Sequence, residues 1–307
     1  MPPLLANALS YQTPFPINRR QVRFAMPMNE PTYQLTRSHG VGYAVAGFSR
    51  ACLIRLIDFP DMPLRTNVHE TVKVGGTAIL VRTEFPVENR RISAAYKRVR
   101  RRNWWKVLTG FFRTNRQLRT WRLGRELLEH NITTPRPLAV IVPRWYQLGV
   151  EAYLAIEWVD GARNLRQVAL SLSQFTSTTR RSFTHAAARS IGELIARMHE
   201  AQISHRDLKA TNLLLRKTAS GVESYVIDLD GAARHLRRLG WHQRFCNLAR
   251  LELSSRELPA ISNADRLRLL KAYLNASAAP KPQWKTAWQE LSEIAGQRAL
   301  RPKRRAA

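Results

Sequence analysis

Two acid-tipped segments constrain the fold of this chain more than any other feature. They are "SHRDLKATNLLL" at residues 204–215 and "SYVIDLDGA" at residues 224–232. The apolar runs 212–215 and 225–228 are expected to pair as strands, which returns Asp228 to the neighbourhood of Asn212 with Asp207 close by. The chain carries 50 Lys and Arg against 22 Asp and Glu, so acids gathered in one place need a reason. Carboxylates brought together repel one another, and a bound cation relieves that cost.

The pattern around these segments divides the chain in two. Residues 1–38, rich in Pro, Asn and Gln, show no sustained period and read as an irregular N-terminal arm. From about 68 to 100, "ETVKVGGTAILVRTEF", a turn at "PVENRR" and "ISAAYKRV" predict strands, with Gly75 and Gly76 interrupting β-prone residues as at a hairpin. Residues 116–130 read as a helix with Leu118, Trp121, Leu127 and Leu128 on one side, broken by Pro135 and Pro137 ahead of another strand. "EAYLAIEWVDGA" is a strand running into a turn at Asp160 and Gly161. Helical spacing then dominates: Phe183, Ala187, Ile191, Leu194, Ile195 and Met198 lead into the first acid-bearing segment, and 263–275 and 284–295 read as later helices. The expected fold is α+β and bilobal: a small antiparallel β-rich lobe over 39–156, a hinge at 157–161, and a mostly helical lobe over 162–298. A basic tail fills 299–307, and a cleft lies between the lobes.

The chemistry expected in that cleft follows from the residue types. An Asp carboxylate and an Asn carbonyl are hard oxygen ligands suited to Mg²⁺ that also holds substrate phosphates, which points to Asn212 and Asp228, with Asp230 beside them. Asp207 is left to orient a hydroxyl and accept its proton, and Lys209 can reach a transferring phosphoryl group. The string His205, Arg206, Asp207, Leu208 and Asn212 matches H-R-D-L-x-x-x-N, the catalytic loop of protein-kinase-like enzymes, at every fixed position. A chance match in a chain of this size has odds of roughly one in a thousand or less. "VIDLDG" stands where such enzymes carry Asp-Phe-Gly, with Leu229 for the aromatic residue and Asp230 for the glycine.

Other parts of an ATP site can be assigned around this loop. Lys97 in "AAYKRV", on the third strand after the glycine hairpin, is the candidate nucleotide lysine, although it also begins a basic run that water alone could satisfy. Gly75, Gly76 and Thr77 would cover the phosphates if the hairpin is more than a hairpin. Glu157, Trp158 and Val159 would form the adenine hinge through their backbone. No acid partner for Lys97 is obvious, and Glu126, near the end of its helix, is the candidate.

The combination "YKR", "WRLGRELLEHNITTPRPLA", "IEWVDGA", "HRDLKATNLLL" and "VIDLDGA" resembles the lipopolysaccharide kinases over about residues 65 to 275, leaving the first 40 residues and the tail uncovered. The resemblance implies ATP- and Mg²⁺-dependent phosphorylation of a sugar hydroxyl, Kdo or heptose, in the lipopolysaccharide inner core. In that reading Asp207 is the base, and Asn212 and Asp228 hold the metal. No Ala-Pro-Glu follows Asp230. Instead the chain enters "ARHLRRLGWHQRFCNLAR", where Arg234, Arg237, Arg238 and Arg244 suit phosphates or carboxylates of an acidic glycolipid, or simply face solvent.

The formal net charge of +28 implies an anionic partner. Trp104, Trp105, Leu108, Phe111 and Phe112 share one helical face among basic residues. Such a helix suits an anionic membrane surface as well as it suits packing on the first lobe. Cys52 and Cys246 alone make neither a disulfide framework nor a zinc pattern, which favours a reducing compartment. No secretion signal or apolar run long enough to span a bilayer is apparent. Together with these features, the resemblance implies a cytoplasmic location, peripheral on the inner face of the inner membrane, with no specific nucleic acid. Two rivals stay open: a protein Ser/Thr kinase, and a non-catalytic basic binding module on the same fold, whose binding would be steeply salt-dependent.

Overall fold

The computed structural model describes residues 30–65, 70–75, 78–99, 115–143, 152–278 and 280–300. The chain enters through a hairpin, β1 (Thr32–Thr36) and β2 (Gly40–Val45), followed by α1 (Arg50–Asp58) and a single turn, α2 (Met62–Arg65). The meander β3 (Glu70–Gly75), β4 (Ala78–Val87) and β5 (Arg90–Val99) comes next. After it lie α3 (Arg116–Glu129), β6 (Pro137–Pro143) and β7 (Ala152–Glu157). The strands form one seven-stranded sheet in the order β1-β2-β6-β7-β5-β4-β3, every neighbouring pair antiparallel. Between β4 and β5, Glu88 and Asn89 take φ of 50° and 58°, the left-handed pair that a two-residue hairpin turn demands.

The sheet is covered on both faces. On one, Phe48, Leu53, Leu56 and Ile57 pack with Val81, Phe85, Tyr96 and Tyr153. On the other, Leu118 and Trp121 of α3 pack with Val140 and Leu154. Asn115 caps α3 by accepting from the Gln117 and Leu118 N–H groups, and Asn131 at φ 56° ends it. The rest of its apolar stripe, Leu123 and Leu127, joins the core of the second lobe. Helix α3 thus touches both lobes, and any residue it aims between them faces the cleft.

The second lobe begins with β8 (Arg163–Asn164) and α4 (Leu165–Ser171), which opens on an Asn164/Gln167 capping box. The long helix α5 (Ser177–Glu200) leads into β9 (Ile203–His205), then β10 (Leu213–Thr218), β11 (Gly221–Val226) and β12 (Ala232–Arg234). Helices α6 (Trp241–Arg256), α7 (Asn263–Ala276) and α8 (Trp284–Leu300) complete it. Strands β10 and β11 pair antiparallel, Leu213 opposite Val226, as the two apolar runs predict. Gly192 lets α5 and α7 approach closely: a Cβ there would lie 2.8 Å from both the Leu269 carbonyl and the Tyr273 nitrogen.

Three elements differ from what the sequence pattern predicts. Residues 32–36 belong to the sheet as β1, not to an irregular arm. Their alternation is carried only by Tyr33 and Leu35, so the strand owes its existence to pairing with β2. Helix α1 has no clear sequence signal. A nine-residue helix is too short to stand alone. It is held by the burial of Leu53, Leu56 and Ile57, each contributing about 1.5–3 kcal/mol. Helix α6 overlaps the basic stretch that could simply face solvent, yet Phe245, Leu248 and Leu251 anchor it in the core.

Candidate active site

Lys97 lies in the interior of the sheet, opposite Leu80 of β4 and Leu154 of β7. Both flanking strands fix its backbone, and its side chain is only 21% exposed. It reaches across the cleft: Nζ is 3.0 Å from Asp228 Oδ1 and 3.2 Å from Asp230 Oδ2. Burial works against the ammonium, but the Asp230 and Asp228 carboxylates outweigh it and hold its pKa above the ordinary lysine value.

The acid partner that the sequence did not reveal is Asp230. Its Oδ1 accepts from Thr120 Oγ1 at 2.8 Å and Gln117 Nε2 at 3.4 Å, both on α3. Its Oδ2 faces Lys97 and, at 3.5 Å, Arg116. With its side chain 10% exposed, Asp230 has both oxygens engaged by protein donors, Lys97 among them. Burial alone would raise its pKa, yet Lys97, Arg116 and Thr120 hold it below the usual carboxylate range. Glu126 does not face Lys97. It pairs with Arg234 at 2.5 Å and not with Lys97, being nine residues beyond Gln117 and six beyond Thr120 on the helix.

The catalytic-loop residues converge as the strand pairing requires. Asp207 Oδ1 accepts from Arg250 Nη2 at 2.9 Å and Nε at 3.2 Å. Its Oδ2 is 2.7 Å from Lys209 Nζ and 3.3 Å from Asn212 Nδ2. Partial burial raises the Asp207 pKa, but the bonds from Lys209 and Arg250 prevail and hold it below its ordinary value, so the carboxylate is ionised at neutral pH. Asn212 also donates Nδ2 to the Asp207 carbonyl at 2.9 Å, which turns its amide oxygen the other way. The Ile227 N–H donates to the Asn212 carbonyl at 3.0 Å and so ties Asp228 beside it. Asp228 itself sits at φ 59°, ψ 53°. For a non-glycine residue that conformation costs of order 1–3 kcal/mol and persists only where the surroundings enforce it.

His205 is fully buried. Its backbone N–H donates to Asn247 Oδ1 at 2.7 Å, Nδ1 accepts from the Asp207 N–H at 3.3 Å, and Nε2 lies 3.2 Å from the Ile227 carbonyl. A neutral ring protonated at Nε2 satisfies both nitrogens, and burial keeps it neutral by lowering its pKa. His205 is therefore a strut between the loop and the Asp228 strand end, not a group facing substrate. Arg206 is exposed and joins the site only through its backbone, donating to the Gly231 carbonyl at 3.1 Å.

At the hinge, the Glu157 N–H donates to the Arg136 carbonyl and the Trp158 N–H to the Ser93 carbonyl, each at 2.8 Å. Those donors are spent within the protein. Gly75 closes β3 opposite Ala78, while Gly76 and Thr77 lie outside the described residues, as do Trp104, Trp105, Phe111 and Phe112. Arg237 and Arg238 are exposed between β12 and α6. Arg244 is not available to any ligand: it is 1% exposed, stacked 5.1 Å from the Trp241 ring centroid and bonded to Glu200 at 2.7 Å.

Sequence reasoning missed Arg250, Gln117 and Thr120. A signal did exist. Asn247, Arg250 and Ser254 are polar at i, i+3 and i+7 on a helix otherwise committed to the core, and Gln117 and Thr120 are polar at i and i+3 beside Leu118 and Trp121. Among the described residues no group of three or more His, Cys, Asp or Glu forms a cation site. The donors that fit a Mg²⁺ are the Asn212 amide oxygen and the half-exposed Asp228 carboxylate, two hard oxygens that leave the remaining positions to substrate phosphates and water.

A β-rich lobe and a helical lobe, with a sheet lysine ion-paired across their cleft to acids beside an H-R-D-L-x-x-x-N loop, define the protein-kinase-like fold. The profile of the Lipopolysaccharide kinase (Kdo/WaaP) family matches residues 80–273, and the chain belongs to that family. It is 34% identical over 142 residues to a 3-deoxy-D-manno-octulosonic acid kinase of Xanthomonas campestris pv. campestris, covering 45% of this chain and 49% of that one. It is 30% identical over 165 residues to the enzyme of the same name from Actinobacillus succinogenes, covering 52% and 64%. The chain thus spans about half to just under two thirds of the length of these curated relatives. A solved structure described as WaaP in complex with acyl carrier protein shares the fold, with a TM-score of 0.53 at 18% identity over 74% of this chain and 88% of that one.

Proposed function

We propose that this protein transfers the γ-phosphoryl group of ATP to a sugar hydroxyl, of Kdo or heptose, in the lipopolysaccharide inner core. The observation that carries the reading is the convergence of Lys97, Asp207, Asn212 and Asp228 on one cleft in a chain of this family. The acceptor oxygen attacks the γ-phosphorus, the new O–P bond forms, the bond to the bridging oxygen breaks, and ADP leaves with those electrons. The hydroxyl proton goes to Asp207, which is ionised and oriented by Asn212. Lys97 holds the nucleotide phosphates, and Lys209 reaches the group in flight. Mg²⁺, held by Asn212 and Asp228 together with the phosphates, would neutralise charge on the transferring group. The Glu157 carbonyl and the Val159 N–H are the hinge groups that would read adenine.

The acceptor would be presented on a membrane. No helix among the described residues is long and apolar enough to cross one. The net charge of +28 and the exposed Arg237 and Arg238 suit an anionic surface, and a position on the cytoplasmic face of the inner membrane follows from that reading. The test is transfer of labelled phosphate from ATP with Mg²⁺, offering inner-core lipopolysaccharide and a protein mixture in parallel. Label on the glycolipid, lost in Asp207→Ala, is the expected result. Label on protein alone would favour a protein kinase, and no transfer with no ATP binding would favour a binding module.

A further inference from the structure

Helix α6 grips the catalytic loop along one stripe. Asn247 Oδ1 accepts from the His205 N–H at 2.7 Å, Arg250 bonds Asp207, and Ser254 Oγ accepts from the Ala210 N–H at 2.9 Å. Spacings of three and four residues put all three on one face of the helix. The outer two are neutral and bond the loop's backbone, which is sufficient to position it. The middle one differs. Arg250 is charged, 43% exposed, and bonds the carboxylate itself.

Its geometry is also incomplete. Guanidinium is suited to a two-oxygen partner, one N–H to each oxygen. Here Nε and Nη2 both fall on Asp207 Oδ1, because Oδ2 belongs to Lys209 and Asn212. A base so enclosed has little capacity left for an incoming hydroxyl. Something must draw a cation away when the acceptor arrives, and an acceptor carrying its own oxyanion can do so.

We infer that Arg250 is an acceptor-binding residue: it leaves Asp207 to take a carboxylate on the acceptor sugar, fixing that sugar's hydroxyl against the base it has just released. The inference deepens the kinase reading and rests on it. It selects an acidic sugar as acceptor over a neutral one, because only a sugar with a carboxylate close to its reactive hydroxyl can satisfy Arg250 and Asp207 together. Asp207 keeps Asn212 throughout, so the base stays oriented after the exchange.

The test uses full-length protein with two glycolipid probes: an inner-core acceptor with its 3-deoxy-D-manno-octulosonic acid carboxyls intact, and the same acceptor with those carboxyls converted to methyl amides. The wild-type kcat/KM should fall roughly 10- to 100-fold on amidation, the loss of one charge-assisted two-oxygen contact (~1.4–2.8 kcal/mol). Arg250→Gln should show the same fall on the intact acceptor, no further fall on the amide, and an unchanged KM for ATP. Arg250→Lys, which keeps the charge without the fork, should recover part of the loss. Equal losses for Arg250→Gln on both acceptors, in kcat and with a shifted acid limb of the pH profile, would overturn the inference and make Arg250 a positioning residue for Asp207. Wild-type activity indifferent to amidation would also overturn it while leaving the kinase reading intact. Wild-type transfer to neither probe would remove both.

Discussion

Replacing Asp230 by Asn removes one negative charge from a site where it faces two cations. Lys97 Nζ lies 3.2 Å away and Arg116 3.5 Å. At an effective dielectric constant of about 20, the Lys97 contact alone is worth roughly 5 kcal/mol before desolvation. Breaking a buried pair typically costs ~3–5 kcal/mol. Asparagine still accepts from Thr120, and Asp228 still holds the lysine at 3.0 Å, so a net loss of about 2–3 kcal/mol in nucleotide binding is expected. That corresponds to a Kd for ATP raised roughly 30- to 150-fold. Titration of purified protein with a fluorescent ATP analogue measures it without any acceptor. Thr120→Val, which deletes only the 2.8 Å bond, should cost about 1 kcal/mol, roughly fivefold. Excess Mg²⁺ should not repair the Asp230→Asn defect, since what the substitution removes is a contact to the lysine. Repair by Mg²⁺, or a Kd within threefold of wild type while Lys97→Met abolishes binding, would refute the reasoning.

Other consequences follow from the same geometry. Glu126→Gln should leave ATP binding unchanged and cost at most about 1 kcal/mol in thermal unfolding, because its partner is the half-exposed Arg234. Gly192→Ala should destabilise the protein by roughly 1–3 kcal/mol in chemical denaturation, because the atoms its Cβ would strike are backbone of α7 and cannot rotate away. Burial pushes the His199 imidazole down to about 3, where it bonds the Tyr273 hydroxyl at 2.9 Å, so the unfolded chain takes up this proton first as pH falls below about 6.5. Stability from this group is full above that pH and declines below it, by about 2 kcal/mol between pH 6.5 and 5. His199→Asn should flatten the slope of unfolding free energy against pH by about one proton in that range, and an unchanged slope would contradict the assignment.

The legible parts of this protein were those with local causes. The meander β3 to β5 declared itself through β-prone runs and turn residues, and α3 through its apolar spacing. The pairing of 212–215 with 225–228 followed from two short apolar runs joined by polar residues. Where the cause is a distant partner, the sequence was silent. Strand β1 exists because β2 offers it an edge, and α1 because the sheet offers its aliphatic residues a place to be buried.

The site divides in the same way. Asp207 and Asn212 could be singled out because one motif fixes their spacing, and Asp228 because its strand pairs beside that motif. The acid beside Lys97 could not, since 133 residues separate the partners and the helix expected to bear a glutamate offers Gln117 and Thr120 instead. Once α3 lacks an acid facing the cleft, the extra carboxylate in "DLD" has a reason: Asp230 supplies from the strand end what the helix does not. The cations around Asp207 are explained in similar terms. Lys209 lies within the span of the motif, whereas Arg250 enters from another helix 43 residues on, visible beforehand only as a polar position in an apolar repeat.

The measurement that reaches the central claim most directly is the mass of the acceptor after reaction. Inner-core glycolipid would be incubated with ATP, Mg²⁺ and either wild-type protein or Asp207→Asn, re-isolated, and fragmented to locate any added phosphate. One phosphoryl group on an acidic core sugar with wild-type protein, and none with the variant, is the predicted result. An unmodified glycolipid alongside intact ATP binding, or a phosphate that still appears when Asp207 is replaced, would contradict the account.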